Sequence, residues 1–163
     1  MEIFLPRLFV ESVYSIDMAL LKENNIKGLI LDVDNTLVAQ YVEKPDNRLI
    51  EWIDNLKKNN IKMCIVSNGS PKRVKEFNKD LNLYVISKAR KPFKKGFLEA
   101  LDVMGLGTSE VAVVGDQLFT DMLGGNRLNM FTILVKMIDP REELFVHLKR
   151  YLEKAVLKLA KRS

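Results

Sequence analysis

The chain has 163 residues, 47% of them hydrophobic, and a formal net charge of +5. This length and composition predict one globular domain over 1–163, and the one cysteine excludes a disulfide framework and a cysteine-based zinc cluster. No apolar run reaches the roughly 20 residues that span a bilayer, so we expect a cytoplasmic protein, soluble or peripheral at the inner face of the membrane.

Short apolar runs alternate with helical patterns along the chain. The alternation predicts an α/β fold: a single doubly wound, Rossmann-like parallel sheet of about five strands, flanked by helices. An N-terminal segment with a helix (1–26) precedes the sheet, and a C-terminal amphipathic helix (141–163) follows it. The predicted strands are Gly28–Val33, Ile61–Val66, Leu83–Ile86, Val111–Val114 and Phe131–Val135, and the predicted crossover helices are Pro45–Asn59, Pro71–Asp80, Phe93–Met104 and Thr120–Asn129.

Polar residues follow these strands at the edge where a parallel sheet gathers its functional groups. We therefore expect three or four carboxylates, a hydroxyl and an amine to lie close together. In chain order the segments are Asp32-Val33-Asp34-Asn35-Thr36, Ser67-Asn68-Gly69, Lys91-Pro92, and Gly115-Asp116 with Asp121 five residues later.

Such a group of carboxylates calls for a cation. Two like charges about 4 Å apart repel by roughly 4 kcal/mol at an effective dielectric constant of 20. A hard divalent ion with oxygen ligands would relieve the repulsion. Because Mg²⁺ binds through one or two carboxylates, water and substrate phosphate, a phosphoryl group is expected to complete the site.

The first segment suits a division of labour between two carboxyl groups. One carboxylate can attack phosphorus to form an aspartyl-phosphate, and another can protonate the leaving alcohol and then activate water. Residues i and i+2 of a strand point to the same side, as Asp32 and Asp34 would. A hydroxyl near backbone N–H groups would hold a phosphoryl oxygen, and a lysine would offset its charge.

The four segments, with the last extended to Gly115-Asp116-Gln117-Leu118-Phe119-Thr120-Asp121, resemble in order the four motifs of the haloacid-dehalogenase (HAD) phosphotransferase superfamily, subclass IIIA. The resemblance implies a Mg²⁺-dependent phosphatase with Asp32 as nucleophile and Asp34 as acid/base and main-chain metal ligand. It further implies phosphate binding by Ser67, Asn68 and Lys91, and metal binding by Asp32, Asp34 and Asp116, with Asp121 as a support or ligand at the metal.

Members of this superfamily often carry a cap domain over the site. Thirty residues between Thr36 and Ser67 and twenty-three between Ser67 and Lys91 leave no room for one. We therefore expect an open site that accepts a large substrate or is closed by a neighbouring subunit of a homo-oligomer.

The motif sequences, together with Ala89-Arg90-Lys91-Pro92, are most similar to the YqeG-type group, which is related to phosphatidylglycerophosphate phosphatases. This resemblance implies a lipid substrate and a role in phospholipid biosynthesis. Two alternatives stay open. One is a capless phosphatase acting on a nucleic-acid end or a soluble sugar phosphate, although a nucleic-acid partner is not expected. The other is a phospho-acceptor or scaffold module without turnover.

An enzyme with a lipid substrate needs contact with a bilayer, and the C-terminal helix is a candidate for that contact. An apolar helical stripe is predicted there, with basic residues beside or opposite it, and such a helix either packs on its own domain or lies on a membrane. The stripe comprises Leu144, Leu148, Tyr151, Leu152, Ala155 and Leu159, and the basic residues are Lys149, Arg150, Lys154 and Lys161. Elsewhere, Arg73 with Lys72 and Lys75 is predicted to form a solvated helix face, with the alternative that these residues flank an anionic substrate.

Overall fold

The computed structural model describes residues 2–40, 42–139 and 144–160, and of residues 144–149 it describes the backbone alone. The ends of the predicted C-terminal helix, 141–143 and 161–163, therefore lie outside the described residues. None of the helices in the described ranges is long and apolar enough to cross a membrane.

Six parallel strands form one sheet in the order β1-β6-β5-β2-β3-β4. The chain passes outward from β2 to β4 and then returns to β5 on the other side of β2, which confirms the doubly wound α/β fold. The boundary between β2 and β5 is thus the point where ligands bind in such sheets. The strands are β1 (Leu8–Val10), β2 (Gly28–Leu31), β3 (Lys62–Val66), β4 (Tyr84–Ile86), β5 (Val111–Gly115) and β6 (Phe131–Val135).

The strand count exceeds the predicted five by one. The additional strand, β1, has three residues and pairs only with β6 at the sheet edge. A three-residue run is too short to produce a readable alternation of apolar and polar positions, so the sequence pattern did not reveal it.

Helices cover both faces of the sheet. They are α1 (Met18–Glu23), α2 (Asn47–Lys58), α3 (Pro71–Asn78), α4 (Lys94–Met104), α5 (Leu123–Asn126) and α6 (Leu144–Ala160). The side chains of Asp46 and Ser70 cap α2 and α3 by accepting hydrogen bonds from Leu49 N and Arg73 N. The helix predicted over Thr120–Asn129 begins instead as a π-helical turn at Leu118–Met122, because the N–H groups of Asp121 and Met122 both donate to the Gln117 carbonyl.

The two faces of β2 belong to different core clusters. Leu29 and Leu31 pack with α2 and α3, whereas Ile30 packs with α4 through Phe97 and its neighbours. Each such buried side chain contributes about 1.5–3 kcal/mol relative to an exposed one. Because β2 is held on both faces and both edges, its carboxyl end is a fixed platform for the residues that follow.

Candidate active site

A tight turn follows β2. The N–H groups of Thr36, Leu37 and Val38 all donate to the Val33 carbonyl, at 3.2, 3.0 and 3.3 Å, and Asn35 has a positive φ of 58°. The turn brings the Thr36 hydroxyl back to Asp32 Oδ2 at 3.4 Å. A local backbone motif therefore returns a polar side chain to the end of its own strand.

Three carboxylates from two strand ends meet beside this turn. One carboxylate oxygen from each of Asp32, Asp116 and Asp121 lies within 4.8 Å of the others, and all three residues are buried. We call these residues the acid cluster. The Thr36 hydroxyl links two of its members, since it also donates to Asp116 Oδ1 at 3.2 Å. The structure thus brings together carboxylates that are 84 and 89 positions from Asp32 in the sequence.

Lys91 inserts its ammonium group into the acid cluster. Its Nζ lies 2.8 Å from Asp32 Oδ1 and 2.6 Å from Asp121 Oδ1, and the lysine side chain is almost fully buried. Burial by itself would lower the pKa of Lys91, but the charges of Asp121 and Asp32 outweigh it and raise that pKa. Lys91 therefore stays protonated and offsets part of the negative charge.

The remaining negative charge suits a divalent cation. Burial raises the pKa of Asp116 to about 8, the charge of Asp32 adds to this effect, and Arg150 opposes it. Burial also raises the pKa of Asp121, against the opposing charge of Lys91. A cation would favour the ionised forms, and a donor set made of carboxylate oxygens matches hard ions such as Mg²⁺.

Asp121 depends on a glycine for its position. A Cβ atom at Gly115 would lie 2.3 Å from Asp121 Cγ, so only glycine allows this approach. Asp121 Oδ2 also accepts a hydrogen bond from Gln117 N at 3.3 Å, while its Oδ1 is taken by Lys91. Both oxygens of Asp121 are therefore engaged by the protein itself.

The loop after β3 supplies a hydroxyl and an amide. Ser67 Oγ is buried and accepts a hydrogen bond from Gly69 N at 3.0 Å. Asn68 accepts from Lys91 N at 2.7 Å and donates to Lys91 O at 3.3 Å. These two hydrogen bonds fix the segment that carries the lysine. Phosphate binding by Asn68 stays a prediction, since its amide has a second N–H to donate.

Asp34 lies at the open side of the site and pairs with Arg73. Arg73 donates to Asp34 Oδ1 from NH2 at 2.7 Å and from Nε at 3.2 Å, and its NH1 donates to the Val42 carbonyl at 2.8 Å. We call Asp34 and Arg73 the rim pair. Burial raises the pKa of Asp34, and Arg73 opposes that rise.

The position of Arg73 differs from the predicted solvated face. The Ser70 cap and Pro71 start α3 directly after the β3 loop, which puts residue 73 in the first turn of the helix and beside the site. The sequence predicted the start of this helix at Pro71. It did not predict that Arg73 pairs with Asp34, 39 positions earlier in the chain.

The C-terminal helix α6 turns a charged face inward. Arg150 donates to the Asp116 carbonyl at 2.6 Å and also bonds the Asp116 carboxylate, and the buried Glu153 accepts from Phe119 N at 3.3 Å. The apolar residues Tyr151 and Leu152 are instead exposed. The helical periodicity of the sequence identified the apolar stripe of this helix, but it did not show which side of the helix faces the domain. Arg150 was therefore not predicted to lie next to the acid cluster.

The sequence profile of the mitochondrial PGP phosphatase family matches residues 1–138. The chain belongs to this family. A member of similar length, the probable phosphatase YqeG of Bacillus subtilis (strain 168), is 42% identical over 160 residues, which cover 98% of this chain and 93% of that protein. The chain is thus a YqeG-type phosphatase, a phosphoric monoester hydrolase.

A second relative is longer than this chain. The phosphatidylglycerophosphate phosphatase 1 of Arabidopsis thaliana is 31% identical over 166 residues, covering 94% of this chain but 47% of that protein. The chain therefore spans about half the length of this plant relative.

Solved structures at low identity share the fold. A HAD-superfamily hydrolase from Ehrlichia chaffeensis has a TM-score of 0.54 at 18% identity, covering 80% of this chain and 98% of that one. A cobalt-bound deoxy-D-mannose-octulosonate 8-phosphate phosphatase from Haemophilus influenzae has a TM-score of 0.52 at 19% identity, covering 59% and 61%.

Proposed function

We propose that the protein is a Mg²⁺-dependent phosphatidylglycerophosphate phosphatase that acts in phospholipid biosynthesis through an aspartyl-phosphate on Asp32. The observation that carries the proposal is the contrast between the buried acid cluster, with Lys91 inside it, and the more open Asp34 beside it. The family match supports the phosphatidylglycerophosphate substrate.

The metal would be held by the carboxylates of Asp32 and Asp116 and by the main-chain carbonyl of Asp34. When bound, it would neutralise charge between the nucleophile and the phosphoryl oxygens. Asp121 acts differently in this proposal. Because its two oxygens are engaged by Lys91 and Gln117 N, it supports the metal site by holding the lysine in place.

Asp32 attacks phosphorus, and the bond to the leaving alcohol breaks. The salt bridge with Lys91 at 2.8 Å holds the Asp32 carboxylate in one orientation for this attack. Lys91 also faces the charge that builds on the phosphoryl oxygens. The Ser67 hydroxyl accepts its hydrogen bond from Gly69 N, which leaves its own proton for a phosphoryl oxygen.

Asp34 moves the protons. It protonates the leaving alcohol in the first step and takes a proton from water in the second, when the aspartyl-phosphate is hydrolysed. Support comes from its partial exposure, which gives access to both substrate and water, and from burial that raises its pKa. Arg73 holds the Asp34 carboxylate in a fixed orientation.

The expected open site fits a lipid substrate. α2 and β3 occupy the stretch between Thr36 and Ser67, and α3 and β4 occupy the stretch between Ser67 and Lys91. Peripheral membrane contact through α6 belongs to the same proposal, supported by the exposure of Tyr151, Leu152 and Leu159.

A phosphate-release panel tests the substrate. It compares phosphatidylglycerophosphate in detergent micelles with sugar phosphates and a phosphorylated oligonucleotide, each with Mg²⁺ and each repeated with Asp32→Asn. We expect the lipid to give the highest kcat/KM and Asp32→Asn to abolish release. A soluble ester turned over far better than the lipid would reject the lipid assignment, and equal release by Asp32→Asn would reject the nucleophile.

A further inference from the structure

Eight consecutive residues beside the site, Lys88 to Lys95, include five basic residues and no acidic one. Lys91 is buried in the acid cluster, whereas the other four basic residues and Phe93 are exposed. We propose that this 88–95 segment docks the protein onto an anionic lipid bilayer. The inference rests on the proposed function, because the bilayer is where a lipid substrate would be met.

The backbone of the 88–95 segment is fixed to the catalytic edge of the sheet. Lys88 N donates to Gly69 O at 3.1 Å and Ala89 N donates to Ser67 O at 3.0 Å, while Asn68 holds the main chain of Lys91. Lys88 and Arg90 have positive φ values of 47° and 54°. This backbone conformation is uncommon for residues with long side chains. Along the segment, the exposed side chains of Lys88 and Arg90 alternate with the buried side chains of Ala89 and Lys91. A surface made by this segment therefore has a fixed relation to the acid cluster.

The segment also begins α4 in a way that does not stabilise a helix. Phe93 occupies the N-cap without a side-chain hydrogen bond, and the first turn has Lys94 and Lys95 but no acidic residue. Helices favour polar caps and negative charge at this end. Residues that destabilise a helix end are expected where they serve a function. The N-terminus of α4 therefore indicates a functional role for the exposed phenyl ring and the two lysines.

The exposed cations are available to an external partner. Within the described ranges, Lys88, Arg90 and Lys94 form no ion pair, and Lys95 has only a distant contact with Glu99 at 3.9 Å. Phe93 is 65% exposed in the middle of them. An aromatic ring surrounded by unpaired basic residues matches a surface that inserts one apolar side chain among anionic headgroups.

A bilayer fits this surface better than a single-stranded nucleic acid does. Proteins that bind single strands combine a basic groove with several aromatic rings on which successive bases stack. The 88–95 segment offers one ring, at the surface. A neighbouring cavity of about 600 Å³ is lined by Lys88, Arg90, Phe93 and Lys95 of this segment and by one acidic residue, Glu99. The cavity gives room for a headgroup beside the lysine-bearing loop.

Docking is tested with vesicles that contain no substrate. Co-sedimentation compares phosphatidylcholine vesicles with and without phosphatidylglycerol, using the whole chain and two variants, Lys94→Gln/Lys95→Gln and Phe93→Ser. A matched control, Lys22→Gln/Lys58→Gln, removes the same charge from the C-terminal turns of α1 and α2, which precede the amino ends of β2 and β3. All four lysines are exposed.

We expect binding only to the anionic vesicles. Lys94→Gln/Lys95→Gln should weaken it by about 30-fold, from the usual contribution of two basic residues near an anionic surface, whereas the control should change it less than about threefold. Phe93→Ser should weaken binding at high salt, where the charges are screened. Hydrolysis of a soluble phosphate ester should be unchanged in all variants.

The outcomes separate the two proposals. Equal losses in the control variant, or tighter binding of a single-stranded oligonucleotide than of anionic vesicles at the same salt concentration, would overturn the docking surface. Lost turnover of phosphatidylglycerophosphate in detergent micelles would reject the proposed function and leave the vesicle result unaffected. Intact micelle turnover with no vesicle binding would reject docking by the 88–95 segment together with the membrane contact through α6, and would leave the phosphatase assignment standing.

Discussion

Asp32 and Asp34 are two residues apart, yet the protein gives them different surroundings. Asp32 belongs to the buried acid cluster and pairs with Lys91, whereas Asp34 lies in the rim pair, with 30% of its side chain exposed and Arg73 against one oxygen. The lysine comes from the loop after β4 and the arginine from the start of α3. Two residues of one type thus differ in their charged partners and in their access to water.

The difference shows what each environment is suited to do. A buried carboxylate in a salt bridge is held in place, which suits a nucleophile that must meet phosphorus in one orientation. A partly exposed carboxyl group with a raised pKa exchanges protons with substrate and water.

Replacement of the nucleophile should have the largest effect. Asp32→Asn should lower phosphate release by at least about 10³-fold, because a carboxamide does not form the covalent intermediate. Lys91 keeps its second partner, Asp121, so the variant should stay folded. Phosphate release and thermal unfolding measured on the same sample check both statements. A folded variant with appreciable turnover would place the nucleophile elsewhere.

The rim carboxyl group should affect proton transfer and not metal binding. Asp34→Asn should lower kcat by about 10²–10⁴-fold, while Mg²⁺ affinity measured by calorimetry changes little because the main-chain carbonyl remains. A nitrophenyl ester, whose leaving group needs no proton, should still phosphorylate Asp32, and slow hydrolysis should let the phosphoenzyme accumulate. Mass spectrometry of the quenched reaction would detect it. Wild-type turnover, or no adduct with this ester, contradicts the division of roles.

Removal of Lys91 should lower the stability of the protein as well as its activity. Lys91→Met leaves Asp32 and Asp121 buried without their cation, and the loss of one partner from a buried ion pair costs about 3–5 kcal/mol. Urea unfolding should therefore show a lower free energy of unfolding in the metal-free variant. Lys95→Met, at an exposed position, is the matched control. Similar stabilities for the two variants would mean that Lys91 is not the charge that balances the cluster.

The smallest effect is expected at Arg73. Arg73→Ala should lower kcat by roughly tenfold, as the loss of a positioned charged hydrogen bond, and Arg73→Lys should recover part of it. Because Arg73 opposes the raised pKa of Asp34, its removal should raise that pKa further. Asp34 is needed protonated for the first step, so the basic limb of the kcat/KM profile should move to higher pH. Where hydrolysis of the aspartyl-phosphate limits kcat, Asp34 is needed ionised, and the acidic limb of the kcat profile should move to higher pH as well. Lys72→Ala, on the exposed side of α3, should leave the profile unchanged.

The sequence predicted the sheet and the strand-end residues because both depend on local pattern. Apolar runs such as Val111–Val114 identify buried strands, and the carboxyl ends of parallel strands meet at one edge by geometry alone. Asp32, Ser67, Lys91 and Asp116 could therefore be grouped before any distance was known.

The contacts that escaped prediction depend on how distant elements pack. Arg73 reaches Asp34 across the gap between α3 and β2, and Arg150 reaches Asp116 only because α6 turns its charged face inward. Helical periodicity shows which residues share one face of a helix, but it does not show which face packs against the sheet. The exchange of hydrogen bonds between Asn68 and the Lys91 main chain was hidden for a similar reason.

A crystal structure with Mg²⁺ and beryllofluoride tests the central claim most directly, because beryllofluoride mimics a phosphoryl group on a carboxylate. We predict an adduct on an Asp32 carboxylate oxygen, Lys91 and Ser67 bonded to its fluorine atoms, Mg²⁺ on Asp116 and the Asp34 carbonyl, and the Asp34 carboxylate free of the adduct. An adduct on Asp34 or on Asp116, with the Asp32 carboxylate free of beryllium, would contradict the separation of the two aspartates.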